Sequence, residues 1–142
     1  MEFVMRVSIS KNRSSLESGD EYFVLSREVF FDYVDIEDFE CRKSQTIEPA
    51  YNLRWFEAET MFLPPIMYFK GGKIRFINGR HRTALLFDYL SKIPVIFLSA
   101  GASRLASTVD IEHTQMLMDS LLNPLDVDKH FDFPTLPIVS FS

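Results

Sequence analysis

Gly79-Arg80-His81-Arg82 sets two guanidinium groups and an imidazole on three consecutive residues directly after a glycine. Such a concentration of donors is suited to gripping a phosphate group. Lys73 to Ile77 is rich in β-branched and aromatic residues, Asn78-Gly79 is a strong turn dipeptide, and Ala84, Leu85, Leu86, Phe87 and Leu90 recur at helical spacing. A strand therefore feeds a helix N-terminus, whose unpaired N–H groups and positive dipole end already favour an anion. Gly79 lets that anion approach the backbone without a Cβ in the way. Asn78, Gly79, Arg80, His81, Arg82 and Thr83 are accordingly the expected phosphate- or nucleotide-binding residues. The plainer alternative is a solvated basic helix start in which Gly79 serves only the turn. Against it, two arginines at a helix N-terminus have the wrong sign for the macrodipole.

The elements that must position this stretch belong to a chain of 142 residues with 46% hydrophobic content, which fits one domain, 1–142, with a real core. No apolar run approaches the length of a membrane span, and Met1 to Arg6 lacks the features of a secretory signal. The single Cys41 can form no internal disulfide. A cytoplasmic protein with no membrane partner is the expectation. The net charge of −5 conceals a segregation: residues 60–87 hold no Asp or Glu but contain Lys70, Lys73, Arg75, Arg80 and Arg82, which leaves −10 on the remainder. A positive site on an acidic body suits a discrete phosphorylated ligand, or one strand of nucleic acid, better than wholesale wrapping of duplex.

In chain order, residues 3–9 and 21–25 read as strands joined in a hairpin, and 29–36 reads as a third, half-buried strand. Asp35, Glu37, Asp38 and Glu40 form an acidic cluster; without metal-loop spacing, a solvated run is the simpler reading than a divalent-cation site. Pro49 to Phe62 reads as a helix carrying Arg54, Glu57 and Glu59, with Trp55 a core residue in preference to a stacking platform for a base. Glu57 or Glu59 would serve as general base or metal ligand if that helix faced the basic turn, although a surface ion pair is the commoner role of such a residue. Pro64-Pro65 ends the helix. Ile66 to Lys70 and Lys73 to Ile77 make a hairpin around Gly71-Gly72, the Arg80 helix follows, and Ile93 to Leu98 is a buried strand. A last helix ends near Leu122, with Met116, Leu117 and Leu121 on its core stripe, and 123–142 is an extended C-terminal tail that could also engage a protein partner. His113 and His130 are isolated, and there is no Walker-type glycine loop, zinc-protease helix, nucleophile elbow or internal repeat.

Pro65 to Tyr68, Phe76-Ile77-Asn78-Gly79-Arg80-His81-Arg82-Thr83-Ala84 and Ile93-Pro94-Val95-Ile96 together resemble the ParB/sulfiredoxin-like superfamily. Members carry a hydrophobic strand, a Gly-x-His-Arg motif opening a helix, and a strand of the Ile-Pro-Val type. The Gly-Arg-His-Arg version after a Pro-Pro strand is similar to plasmid fertility-inhibition factors and ParB-like nucleases. The resemblance spans about residues 64–98. It implies a small α+β fold, a mixed sheet with helices, whose 79–82 turn binds phosphate of a nucleotide (ATP or CTP) or of nucleic acid. Arg80 stands where the sulfiredoxin branch needs a cysteine, which argues against reductase chemistry, and Asn78 replaces an Asp common before the glycine.

Two functions follow from the resemblance and the residues. One is a DNase or ATPase of a mobile-element or interbacterial system, with Arg82, His81 and Glu57 as catalytic residues. In it Arg82 neutralises charge on phosphorus while a carboxylate from the 35–59 region activates water, directly or through Mg²⁺. The other is a non-catalytic regulatory module of the fertility-inhibition type that acts through a protein partner. A phosphotransferase is the third reading.

Overall fold

The computed structural model describes residues 4–11, 21–43, 55–58, 60–98 and 111–134. Nine strands and four helices lie within them. The order is β1 (Val4–Ile9), β2 (Glu21–Ser26), α1 (Arg27–Tyr33), α2 (Ile36–Lys43), β3 (Phe56–Ala58), β4 (Met61–Phe62), β5 (Ile66–Lys70), β6 (Lys73–Asn78), α3 (Arg80–Tyr89), β7 (Lys92–Phe97), α4 (Ile111–Leu121), β8 (Asn123–Pro124) and β9 (His130–Pro134). The protein is an α+β fold with two mixed sheets, ordered β3-β4-β1-β9 and β6-β5-β7-β2-β8. No helix among the described residues is long and apolar enough to cross a membrane.

The expected β5–β6 hairpin, α3 and β7 are all present, and their connection is set by turn chemistry. Gly71 and Gly72 take φ of 61° and 76° between the two strands, the positive values a tight hairpin requires. After α3 the chain returns as β7 alongside β5, in parallel, with Ile66 opposite Ile96. Tertiary pairing overrides local preference elsewhere. The expected β1–β2 hairpin does not form: β1 pairs with β4 and β9, whereas β2 pairs with β7 and β8. The expected strand over 29–36 is instead α1 and the start of α2, because the Ser26 hydroxyl accepts from the Val29 N–H and caps the first turn, with Glu28 favourably placed for the dipole.

The helix expected to carry Glu57 is likewise absent from the described residues. Residues 56–58 and 61–62 are strands, Phe56 pairs with Phe62, and Phe62 lies beside Ile9 of β1. Burial of Phe56 and Phe62 on a sheet outweighs the helical propensity of the intervening Glu-Ala-Glu. Glu57 is therefore on β3, residues 49–54 and Glu59 lie outside the described residues, and Trp55 is buried in the core. On α4, Thr114, Leu117 and Met118 form the buried face, while Met116 is exposed rather than part of the core stripe. The described part of the tail runs in extended form as β8 and β9, added to the β2 and β1 edges.

Buried residues of both sheets join in one hydrophobic cluster. Within it Phe30 is fully buried and meets the rings of Phe39, Phe76 and Phe87 at 5.1, 5.9 and 5.1 Å. These contacts tie α1 to α2, β6 and α3, so one side chain sets how three elements converge. Phe30→Ala is expected to lower stability by about 3–5 kcal/mol, the usual range for emptying a buried aromatic site; the midpoint of urea unfolding measures it.

Candidate functional site

The turn from β6 into α3 is where the sequence places its donors, and its backbone is set by Gly79. With φ of 96° and ψ of 18°, Gly79 is left-handed and offers no side-chain cap to the helix. The Thr83 N–H bonds to the Gly79 carbonyl at 2.9 Å, so the preceding amides of Arg80, His81 and Arg82 are the unpaired donors that open the helix. No acidic residue occupies the first turn. Packing also requires this glycine: an added Cβ would lie 2.5 Å from Pro65 Cβ, 2.7 Å from Pro65 Cα and 2.9 Å from Arg82 Nη2.

The two arginines do different things. Arg80 turns toward α2, where its Nε donates to the Asp38 carbonyl at 2.7 Å and its Nη2 to Asp38 Oδ1 at 2.9 Å. Its guanidinium sits over the Phe76 ring, 5.5 Å from the centroid. Arg82 is nine-tenths buried, its side chain donating from Nη1 to the Leu63 carbonyl and from Nη2 to Asn78 Oδ1, both at 2.8 Å. Among the described residues no carboxylate reaches it within ion-pair distance. Burial pulls its pKa down to about 10, so at neutral pH Arg82 is a buried cation whose partners among the described residues are neutral oxygens.

His81 is half-buried, and its pKa is lowered from 6.5 first by burial and then by the neighbouring Arg80 charge. Thr83 is fully buried, and its Oγ1 has no hydrogen-bond partner among the described residues; Asn78 is exposed and already serves Arg82. Of the six expected phosphate ligands, the turn therefore presents Asn78, Gly79 and His81 toward solvent or half so, with Arg82 beneath them, Arg80 drawn aside and Thr83 enclosed.

The acidic cluster takes a role that sequence reasoning missed. Asp35 Oδ1 accepts from the Asp38 N–H at 3.2 Å at the start of α2 and lies 3.4 Å, through Oδ2, from Arg75 Nε. Asp38 accepts the Phe76 N–H at 2.8 Å and ion-pairs with Arg80 and, at 3.6 Å, with Arg75. The Asp35-x-x-Asp38 spacing is a helix-capping signal, and it was the available clue that these acids begin an element rather than lie in a solvated run. Neither carboxylate fits a magnesium site, since both answer arginines, and no three described His, Cys, Asp or Glu side chains gather so as to hold a metal ion. Amides without helical partners, a half-buried imidazole and a cation that no described carboxylate reaches share this helix end.

An α+β protein in which α3 opens on a left-handed glycine, with no acidic residue in its first turn, is what fold and site together define. No family model, no curated protein and no solved structure matches the chain.

Two predictions come from this geometry. Gly79→Ala combines a left-handed backbone, about 1–2 kcal/mol, with the collision against Pro65, a further 1–3 kcal/mol or so. Gly71→Ala, whose Cβ would meet nothing within 4 Å, carries only the first of these, so urea midpoints should fall clearly further for Gly79→Ala. For His81, the folded pKa lies below the unfolded one, so the unfolded chain takes up the proton first as pH falls through 6.5, and stability declines on acidification. His81→Gln should flatten that part of the stability profile, read from unfolding midpoints across a pH series.

Proposed function

We infer that the start of α3 is a receptor for a phosphate group of a nucleotide or nucleic acid, and that the protein acts as a binding module. The observation that carries this reading is Arg82: a buried cation that no carboxylate among the described residues reaches, at the positive end of a helix dipole. Two like-signed features at one place disfavour the empty state, and an arriving dianion relieves both. Binding is preferred to catalysis because Asp35 and Asp38, carboxylates of α2 and its approach, are engaged with Arg75 and Arg80. The regulatory reading that the fertility-inhibition resemblance suggests is consistent with such a module. A hydrolase of the ParB-like nuclease kind is the second reading. It is favoured by the lowered pKa of His81, which keeps the imidazole neutral and able to accept a proton at pH 7.

The test is thermal unfolding with ATP, CTP and a short single-stranded DNA, each with and without Mg²⁺, on wild type and His81→Glu. A ligand bound only by the folded state adds about 2.7 kcal/mol at a hundredfold excess over Kd, which raises Tm. His81→Glu puts the favourable sign at the helix start, worth about 0.3–1 kcal/mol, so the variant should be at least as stable alone yet lose the ligand-induced rise. An unchanged rise in His81→Glu, or none with any ligand in folded wild type, removes the phosphate reading. Phosphate release that disappears in His81→Gln while nucleotide binding persists would select the hydrolase.

A further inference from the structure

A row of cations runs beyond the helix start. β6 places Lys73, Arg75 and Ile77 on the face opposite buried Ile74 and Phe76, and the antiparallel register sets Lys70 across from Lys73 and Tyr68 across from Arg75. Lys70, Lys73 and Ile77 are exposed, and Tyr68 and Arg75 are partly so. The row does not stop at the end of the strand: Arg75 and Arg80 both lie within ion-pair distance of the same oxygen, Asp38 Oδ1. Lys70 and Lys73 thus stand at the hairpin tip, and Arg75 and Arg80, ion-paired with Asp35 and Asp38, lead from them to the first turn of α3.

We propose that the outward face of the β5–β6 hairpin is a docking track for single-stranded nucleic acid, whose terminal or internal phosphate enters the α3 turn; the proposal rests on the phosphate reading of that turn. Lys73 to Asn78 spans about 17 Å at strand rise, more than one phosphate needs, so a mononucleotide would leave the two lysines unmet. Tyr68 beside Arg75 supplies an aromatic ring among the cations, the arrangement on which unpaired bases stack. The strip is only two strands wide, about 5 Å between them, and the chain outside residues 60–87 carries −10. Asp35 and Asp38 flank the line at Arg75 and Arg80, so charge complementarity holds along a narrow strip and disfavours a duplex, which brings a second row of phosphates toward those carboxylates. Asp38 leaves room for the ligand: Arg80 gives it Nε and Nη2, and Nη1 is uncommitted among the described residues.

The experiment is fluorescence anisotropy with labelled oligothymidylates of roughly four, eight and sixteen nucleotides, lengths that bracket single-strand site sizes. A hairpin duplex and unlabelled ATP serve as competitors. Wild type is compared with the Lys70→Glu/Lys73→Glu double variant, whose exposed positions leave the fold intact by circular dichroism. Affinity should rise with strand length and exceed that for ATP, and the duplex should compete poorly. The double variant should lose at least tenfold, with its salt slope reduced by about 1.4 between roughly 50 and 200 mM salt, the share of two phosphate contacts. Its nucleotide-induced Tm rise should remain. Equal affinity in the double variant, strands no tighter than ATP, or a duplex that competes as well as the strand overturns the track while leaving the phosphate turn standing. Loss of both strand binding and the nucleotide response in wild type overturns the track and the turn together.

Discussion

Asp38 is the interaction on which the basic turn depends. β6 is the outer strand of the larger sheet, and an outer strand must satisfy backbone groups that no further strand can reach. Here the Asp35 N–H donates to the Ile74 carbonyl at 2.9 Å and the Asp38 carboxylate accepts the Phe76 N–H at 2.8 Å. The same carboxylate holds Arg80. One acid thus closes a sheet edge, seats α2 against it and aims the first residue of α3, so edge protection and site geometry are a single constraint. Phe39, one residue on, stacks on Phe76 at 5.7 Å and makes the docking apolar as well as ionic.

The two arginines of the motif show how different surroundings divide one chemistry. Arg80 has a carboxylate, a backbone carbonyl and a ring, and its charge is locally answered. Arg82 has two neutral oxygens and a buried setting that lowers its pKa. Pro64 follows Leu63, and the Leu63 carbonyl finds its partner in Arg82; Asn78, four residues earlier, supplies the second. These contacts orient the guanidinium without neutralising it. A cation held rigidly, with no described carboxylate against it, gains more from an anion than a flexible surface lysine does, because little side-chain freedom remains to be lost.

Legibility in the sequence followed the locality of the cause. The Gly-Gly hairpin, β7 and α3 were readable because turn dipeptides and short apolar runs act within a few residues. Residues 29–36 misled because Val, Phe and Tyr favour strands, while the deciding facts were a serine cap three residues upstream and the packing of Phe30 on three other elements. Residues 56–62 misled for the converse reason, their partner strand being β1, some fifty residues away. At the site, the residue types and their place at a helix start were visible. Which arginine pairs with acid was not, because Asp38 and Arg80 meet only after α2 docks on β6, although the Asp35-x-x-Asp38 cap hinted that an element began there.

The proposed binding role follows from how the carboxylates are distributed. Phosphoryl chemistry asks for an acid or base free to move a proton beside the phosphorus. Asp35 and Asp38 are each held by an arginine, and Asp38 by a backbone amide besides; releasing Asp38 would unseat α2 and leave the Phe76 N–H without its partner. A group whose removal dismantles the support of the turn is poorly suited to changing protonation state during a reaction. His81 is the titratable side chain of the turn without such a duty among the described residues, and its lowered pKa makes it an acceptor at neutral pH. An anion bound above it would raise that pKa by its charge and draw a proton onto the imidazole, tightening the grip. In the proposed binding role the same residue would serve recognition through protonation on binding, with no carboxylate required.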